Sequence, residues 1–116
     1  MLEFQRLDQD GLVILALSGR LDALSAPDFR PTIDELVQSR TMRVVFDLTG
    51  LQQIDSSGVG AIVSLFKRLR MLGGEVKIAC LNGQPREIFR LLRLDRAFDL
   101  FDTVDAAKAR FGKRGA

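Results

Sequence analysis

The sequence predicts an α/β domain, a small mixed sheet covered by helices. Three observations carry this. A helical stripe over residues 56–72 separates two short β-rich apolar runs, 42–51 and 75–81. Strand, helix, strand with short loops is the right-handed crossover that makes its two strands parallel. Ahead of them "FQRL" (4–7) and "GLVILALSG" (11–19) flank "DQDG", which reads as a hairpin and an antiparallel start. Finally, 116 residues with 47% hydrophobic and 28% charged side chains suit one core, so residues 1–116 are read as one domain.

Each element has its own signature. In "SAPDFRPTIDELVQSR" Ser25 is a plausible N-cap, and Phe29, Ile33, Leu36 and Val37 share one helical face. Pro31 lies past the first turn, where it removes a helix hydrogen bond, so a bend or an irregular first turn is expected. "MRVVFDLTGL" (42–51) reads as a buried central strand closed by Thr49-Gly50. From Ser56 the stripe Val59, Ile62, Val63, Phe66 and Leu69 continues until Gly73-Gly74 stops the helix. "EVKIACL" (75–81) is a second buried strand, "PREIFRLLRL" (85–94) an amphipathic helix, "FDLF" (98–101) a short edge strand, and "DAAKARF" (105–111) a closing helix.

Composition excludes several functions. The net charge is +2 and the pI about 9.1, but 17 Lys and Arg stand against 15 Asp and Glu, spread along the chain. That is a solvated surface and no nucleic-acid footprint, although Arg110, Lys113 and Arg114 make residues 109–116 a short basic tail. Cys80 is alone in an apolar run, so an intramolecular disulfide is impossible and a small buried side chain is expected. No leader pattern opens the sequence and no stretch is apolar enough to span a bilayer, which points to a reduced cytoplasmic setting without direct membrane insertion. With no histidine, a Ser-His-Asp site and most zinc sites fall away, so no metal and no cofactor is expected. Lysine catalysis survives only formally, because Lys67 and Lys77 lie where the pattern makes them exposed. The chain is read as a binding protein and not an enzyme.

One stretch concentrates polar residues at a helix start: "DSSG", Asp55 to Gly58, at the carboxyl end of a central strand, after a loop. That edge of an α/β sheet is where sites gather. The unpaired N–H groups of a first turn tolerate a phosphate. On spacing alone, Asp55 or Ser56 is an N-cap and Gly58 a packing glycine. A phosphate-binding loop is absent, since Gly58 and Gly60 fall inside the helix they would have to precede.

The segments "SGRLDALSAPDFR", "VVFDLTGLQQIDSSGVGAIVSLFKRLRMLGGEVKIACL" and "PREIFRLLRLDRAFDLFDT" occur in order. Over residues 11–108 the chain resembles the STAS domain of bacterial anti-sigma factor antagonists. The resemblance implies a mixed sheet of four to five strands with about four helices. It also implies partner switching in the cytoplasm. The unphosphorylated antagonist binds a serine-kinase anti-sigma factor and frees the sigma factor; the kinase then phosphorylates the antagonist, and a serine phosphatase resets it. The phosphoacceptor carries over to Ser56, with Ser57 as second choice. Asp22 of "GRLD" matches the aspartate bordering the acceptor, and Ser25, Asp55, Ser57, Gly58, Val59 and Gly60 make up the partner-binding set. Without the resemblance Asp22 reads as a cap or turn residue. Arg20 departs from the family, which commonly has an acidic residue there; a positive charge could hold a phosphate or meet an acidic partner.

Two other classes stay open. STAS domains also serve as subunits of bacterial ABC lipid-transport systems and as tails of anion transporters, and a free-standing ABC subunit is the alternative here. An enzyme or nucleotide-binding protein lacks its signatures. A free monomer is expected.

Overall fold

The computed structural model describes residues 1–111. Its elements are β1 (Leu2–Gln9), β2 (Leu12–Leu21), α1 (Ala26–Gln38), β3 (Arg43–Ile54), α2 (Ser56–Met71), β4 (Glu75–Ala79), α3 (Gly83–Leu91), α4 (Leu94–Ala97), β5 (Asp99–Phe101) and α5 (Val104–Ala109). The strands form one sheet in chain order. β1 pairs with β2 antiparallel, and every later neighbour is parallel. Asp10 and Gly11, with φ of 52° and 82°, make a two-residue turn whose twist matches that of the strands it joins. The expected mixed sheet is therefore present with five strands. Five helices rather than about four are described, the extra one being the four-residue α4. Lys113 and Arg114 of the basic tail lie outside the described residues.

Alternation along the strands sorts the core into two layers. Leu15 and Leu17 of β2, Val44, Phe46 and Leu48 of β3, and Val76 and Ile78 of β4 face the helices α1 and α2 and Phe89 of α3. Phe29 of α1 is fully buried between Phe4 (ring centroids 5.1 Å) and Phe46 (6.2 Å). Burying a ring of that size stabilises the fold by about 1.5–3 kcal/mol. On the opposite face Ile14, Val45 and Ala79 take the apolar side of α5, through Ala107 and the following Phe111.

Four expectations are corrected. First, β3 does not stop at Thr49-Gly50 but runs to Ile54. Its pairing with β2 skips residues between Ala16↔Asp47 and Ser18↔Gly50, and again between Gly19↔Leu51 and Arg20↔Gln53. These are bulges, and the Asp47 carboxylate closes the first by accepting from the Thr49 N–H (3.1 Å) and hydroxyl (2.6 Å). A Cβ at Gly50 would lie 2.8 Å from the Cβ of Ser18, so the glycine serves close strand packing rather than a turn. Second, α1 continues through Pro31 to Gln38; Pro31 is exposed and the irregular turn lies ahead of the helix, at Asp22–Ser25. Third, Cys80 is only half-buried and left-handed (φ 63°), because the chain leaves β4 there while its N–H still reaches Phe101 O (2.9 Å).

The fourth correction is Lys77, which is buried, 4% exposed, while Lys67 is exposed as expected. β4 is covered on both faces, so its α5-facing positions are also interior. The ammonium lies 4.9 Å from the Phe111 ring centroid and 5.7 Å from that of Phe101, and donates to Glu75 (3.1 Å) and Asp99 (2.9 Å). Lys77 thus pins α5 to the sheet edge. Lys77→Ala is expected to lower stability by about 2–4 kcal/mol through lost stem packing and two cation–π contacts. The two carboxylates it leaves are partly solvated, so the full cost of an orphaned buried charge is not incurred. Lys77→Met, which keeps the volume, is expected within about 1 kcal/mol of the native protein. Urea unfolding of the two variants checks this.

Candidate functional site

The parallel strands β2 and β3 end side by side at Leu21↔Ile54, and the next residue on each is an aspartate, Asp22 and Asp55. No loop separates β3 from α2, contrary to expectation; Asp55 alone joins them. Asp55 is the N-cap: one carboxylate oxygen accepts from Gly58 N (3.1 Å) and the other from Ala23 N (3.1 Å). Its own N–H donates to Leu21 O (3.3 Å). One side chain therefore starts α2 and ties it to the β2–α1 loop.

Because Asp55 does the capping, Ser56 is released from that role. Ser56 is exposed and Ser57 half-buried, both in the first turn of α2. Gly58 is buried against the strand ends: a Cβ there would lie 2.3 Å from Leu21 O and 2.7 Å from Ile54 Cγ1. Gly60, one turn beyond Ser56, has open space where a Cβ would go. Val59 turns inward and is buried in the core, so the accessible face of this turn is Ser56 and Gly60.

Ser25 occupies the N-cap position of α1, but its hydroxyl makes no capping bond. It is buried and turns back, donating to Arg20 O (2.8 Å) and accepting from Asp22 N (2.9 Å). Asp22 Oδ1 accepts from the N–H groups of Leu24 and Ser25, each at 3.1 Å, and lies 3.2 Å from the Ser25 hydroxyl. These hydrogen bonds, the Ser25 N–H first, hold the Asp22 carboxyl below the ordinary aspartate range, with Arg20 adding a weaker attraction. A carboxylate lowered in the folded state contributes stability above its unfolded pKa and loses it as pH falls through the folded value. Asp22→Asn is therefore expected to melt below the native protein at about pH 7, with the gap closing as pH falls to about 3. Thermal melts across that range check the sign.

The structure thus brings Asp22, Asp55, Ser56, Ser57, Gly58 and Gly60 to one end of the sheet, with Ser25 and Val59 beneath the surface. Two residues there carried no sequence signal. Gln84 of α3 brackets the last residue of β3, accepting from Ile54 N (2.8 Å) and donating to Ile54 O (3.0 Å) across thirty positions of sequence. Leu24 stands 89% exposed on the β2–α1 loop; the run "LDALSAP" contains it without announcing its exposure.

A family model described as the STAS domain matches residues 3–107. The chain belongs to the STAS domain family. The match reaches further toward the amino end than the quoted motifs and takes in β1. An anti-sigma F factor antagonist of Paenibacillus polymyxa is 33% identical over 96 residues, 82% of this chain and 80% of that protein. The crystal structure of the protein TM1081 from Thermotoga maritima superposes with a TM-score of 0.87 at 26% identity, covering 92% of each chain. SpoIIAA of Bacillus in its phosphorylated form shares the fold, with a TM-score of 0.76 at 22% identity over 94% of this chain and 99% of that one. No helix among the described residues is long and apolar enough to cross a membrane.

In this STAS domain the site offers an exposed hydroxyl at the positive end of a sixteen-residue helix. Negative charge near a helix amino terminus is stabilised by about 0.3–1 kcal/mol at an exposed position.

Proposed function

We propose that the protein is an anti-sigma factor antagonist working by partner switching in the cytoplasm. Unphosphorylated, and a monomer when free, it binds a serine-kinase anti-sigma factor and releases the sigma factor. Phosphorylation of Ser56 ends that complex, and a serine phosphatase restores it. The observation that carries this reading is the division of labour at the α2 start, where Asp55 caps the helix and leaves the Ser56 hydroxyl exposed. The names of the relatives supply the partner class. Asp22, Asp55, Ser57 and Gly60 border the partner surface in this reading, while Ser25, Gly58 and Val59 shape it from below. No catalysis is assigned to the protein.

The mechanism is electrostatic. Phosphorylation adds about −1.5 to −2 charges. Within the fold the helix terminus accommodates them, but a partner packed over Ser56 and Gly60 meets a desolvated charge. Affinity capture from source-cell lysate with native and Ser56→Glu baits, read by mass spectrometry, tests the proposal. A serine kinase of the anti-sigma type held by the native bait alone supports it. Recovery of an ABC ATPase or permease by both baits assigns the protein to lipid transport instead.

A further inference from the structure

Beside the Ser56 turn the β2–α1 loop presents an apolar tip. Ala23, Leu24 and Pro27 are all exposed, Leu24 at 89%. The backbone beneath it is fixed, because each N–H from Asp22 to Ala26 has an acceptor. Asp22 N donates to Ser25 Oγ (2.9 Å) and Ala23 N to the Asp55 carboxylate (3.1 Å). Leu24 N and Ser25 N donate to the Asp22 carboxylate (3.1 Å each), and Ala26 N to Asp22 O (2.8 Å). The loop is held in one conformation while the Leu24 side chain adds almost nothing to the core. Leu24 and Ser56 lie three and two residues beyond the paired rung Leu21↔Ile54, and Asp55 joins the two segments by bonding Ala23 N and Gly58 N. The tip and the acceptor hydroxyl therefore border one surface. Charge does not dominate there. Arg20 faces Asp22 at 3.7 Å, Asp55 is taken by two N–H groups, and on α1 the exposed Asp28 and Arg30 have opposite sign.

We infer that Leu24 is the apolar anchor for the serine-kinase partner, entering an apolar socket on that kinase beside the groups that reach Ser56. This rests on the partner switch proposed above, and adds to it a residue that sets affinity without touching the hydroxyl. An aliphatic side chain presented by a fixed loop brings little backbone freedom to be lost on docking, so most of its desolvation gain reaches the affinity. The turn itself asks nothing of position 24, since Asp22, Ser25 and Asp55 close it, and a polar residue would serve there equally well. The leucine benefits a complex and not the fold.

The kinase captured by the native bait, once purified, is titrated calorimetrically with the full native chain and three variants, and phosphorylation rates are measured on the same set. Leu24→Ser is expected to bind about tenfold or more weakly, and to raise the KM for the chain as substrate by a similar factor with kcat within about twofold. Leu24→Met, which keeps an apolar side chain, is expected within about threefold of native binding. Met71→Ser removes a comparably exposed apolar side chain (87%) at the far end of α2, about 22 Å from Ser56, and is expected to change neither quantity. All three variants should melt within about 2 °C of the native chain. The inference is overturned if Leu24→Ser binds like the native chain, or if Met71→Ser weakens binding as much. A fall in kcat with KM unchanged also overturns it, making Leu24 a positioning residue for the acceptor. So does a native dimer that Leu24→Ser dissociates, which would give the tip to a second copy. A kinase that ignores the native chain sinks the switch and the anchor together, a result distinct from a loss confined to Leu24→Ser.

Discussion

Ser56→Glu is expected to weaken binding to the serine-kinase partner at least about a hundredfold, equivalent to about 2.7 kcal/mol. Calorimetric titration of the two proteins against the same kinase measures it. The size follows from where the charge lies. Ser56 is exposed in the free protein, so a carboxylate or phosphoryl group is hydrated there and further favoured by the N–H groups of the first turn. A partner covering Ser56 and Gly60 removes the water, and an unpaired charge in such an interface costs several kcal/mol. For the same reason the fold should hardly respond. The melting temperature is expected within about 2 °C of the native value, since surface substitutions typically stay within about 0.5 kcal/mol. Backbone amide shifts should change only near residues 20–30 and 50–65. Shifts throughout the sheet would show that phosphorylation acts by refolding, and the interface account would fail.

Gly58→Val is expected to unfold the protein or destabilise it by about 3 kcal/mol or more, the largest stability effect at the site. Its Cβ would meet Leu21 O at 2.3 Å and two side-chain carbons within 3 Å, and the carbonyl belongs to a paired strand end that cannot retreat. Even Gly58→Ala should lose more than alanine's helical preference of about 1 kcal/mol returns. Gly60→Ala is the counterpart. It adds a methyl to open space in the same helix and is expected to raise stability by about 0.5–1 kcal/mol. Two glycines of one turn thus respond with opposite sign, which denaturant unfolding resolves. If Gly60 also lies under the partner, Gly60→Ala will weaken kinase binding despite its added stability.

Legibility of the fold followed the range of the interactions. α2 declared itself through its stripe and its glycine stop, and β4 through its short apolar run, because the deciding contacts lie within a few residues. Thr49-Gly50 signals a turn locally and so predicts an early end to β3, whereas its meaning depends on Ser18 of the neighbouring strand. Lys77 looked exposed because one strand cannot reveal that a helix thirty residues later covers its second face. The site divided in the same way. Asp55 and Ser56 were both legible as caps, and the geometry chose Asp55. Ser25 has the sequence signature of a cap although its hydroxyl is consumed by the Asp22 turn, and Gln84 has no local signature because its partner is the backbone of Ile54.

The proposed switch depends on Ser56 being the residue the partner modifies. Incubating the native protein and Ser56→Ala with the captured kinase and Mg-ATP, then locating the phosphoryl group by peptide mass spectrometry, tests that most directly. One phosphoryl group on Ser56 of the native protein, and none on Ser56→Ala, is the predicted result. A phosphoryl group on Ser57 or elsewhere, or none at all while the complex forms, would contradict it.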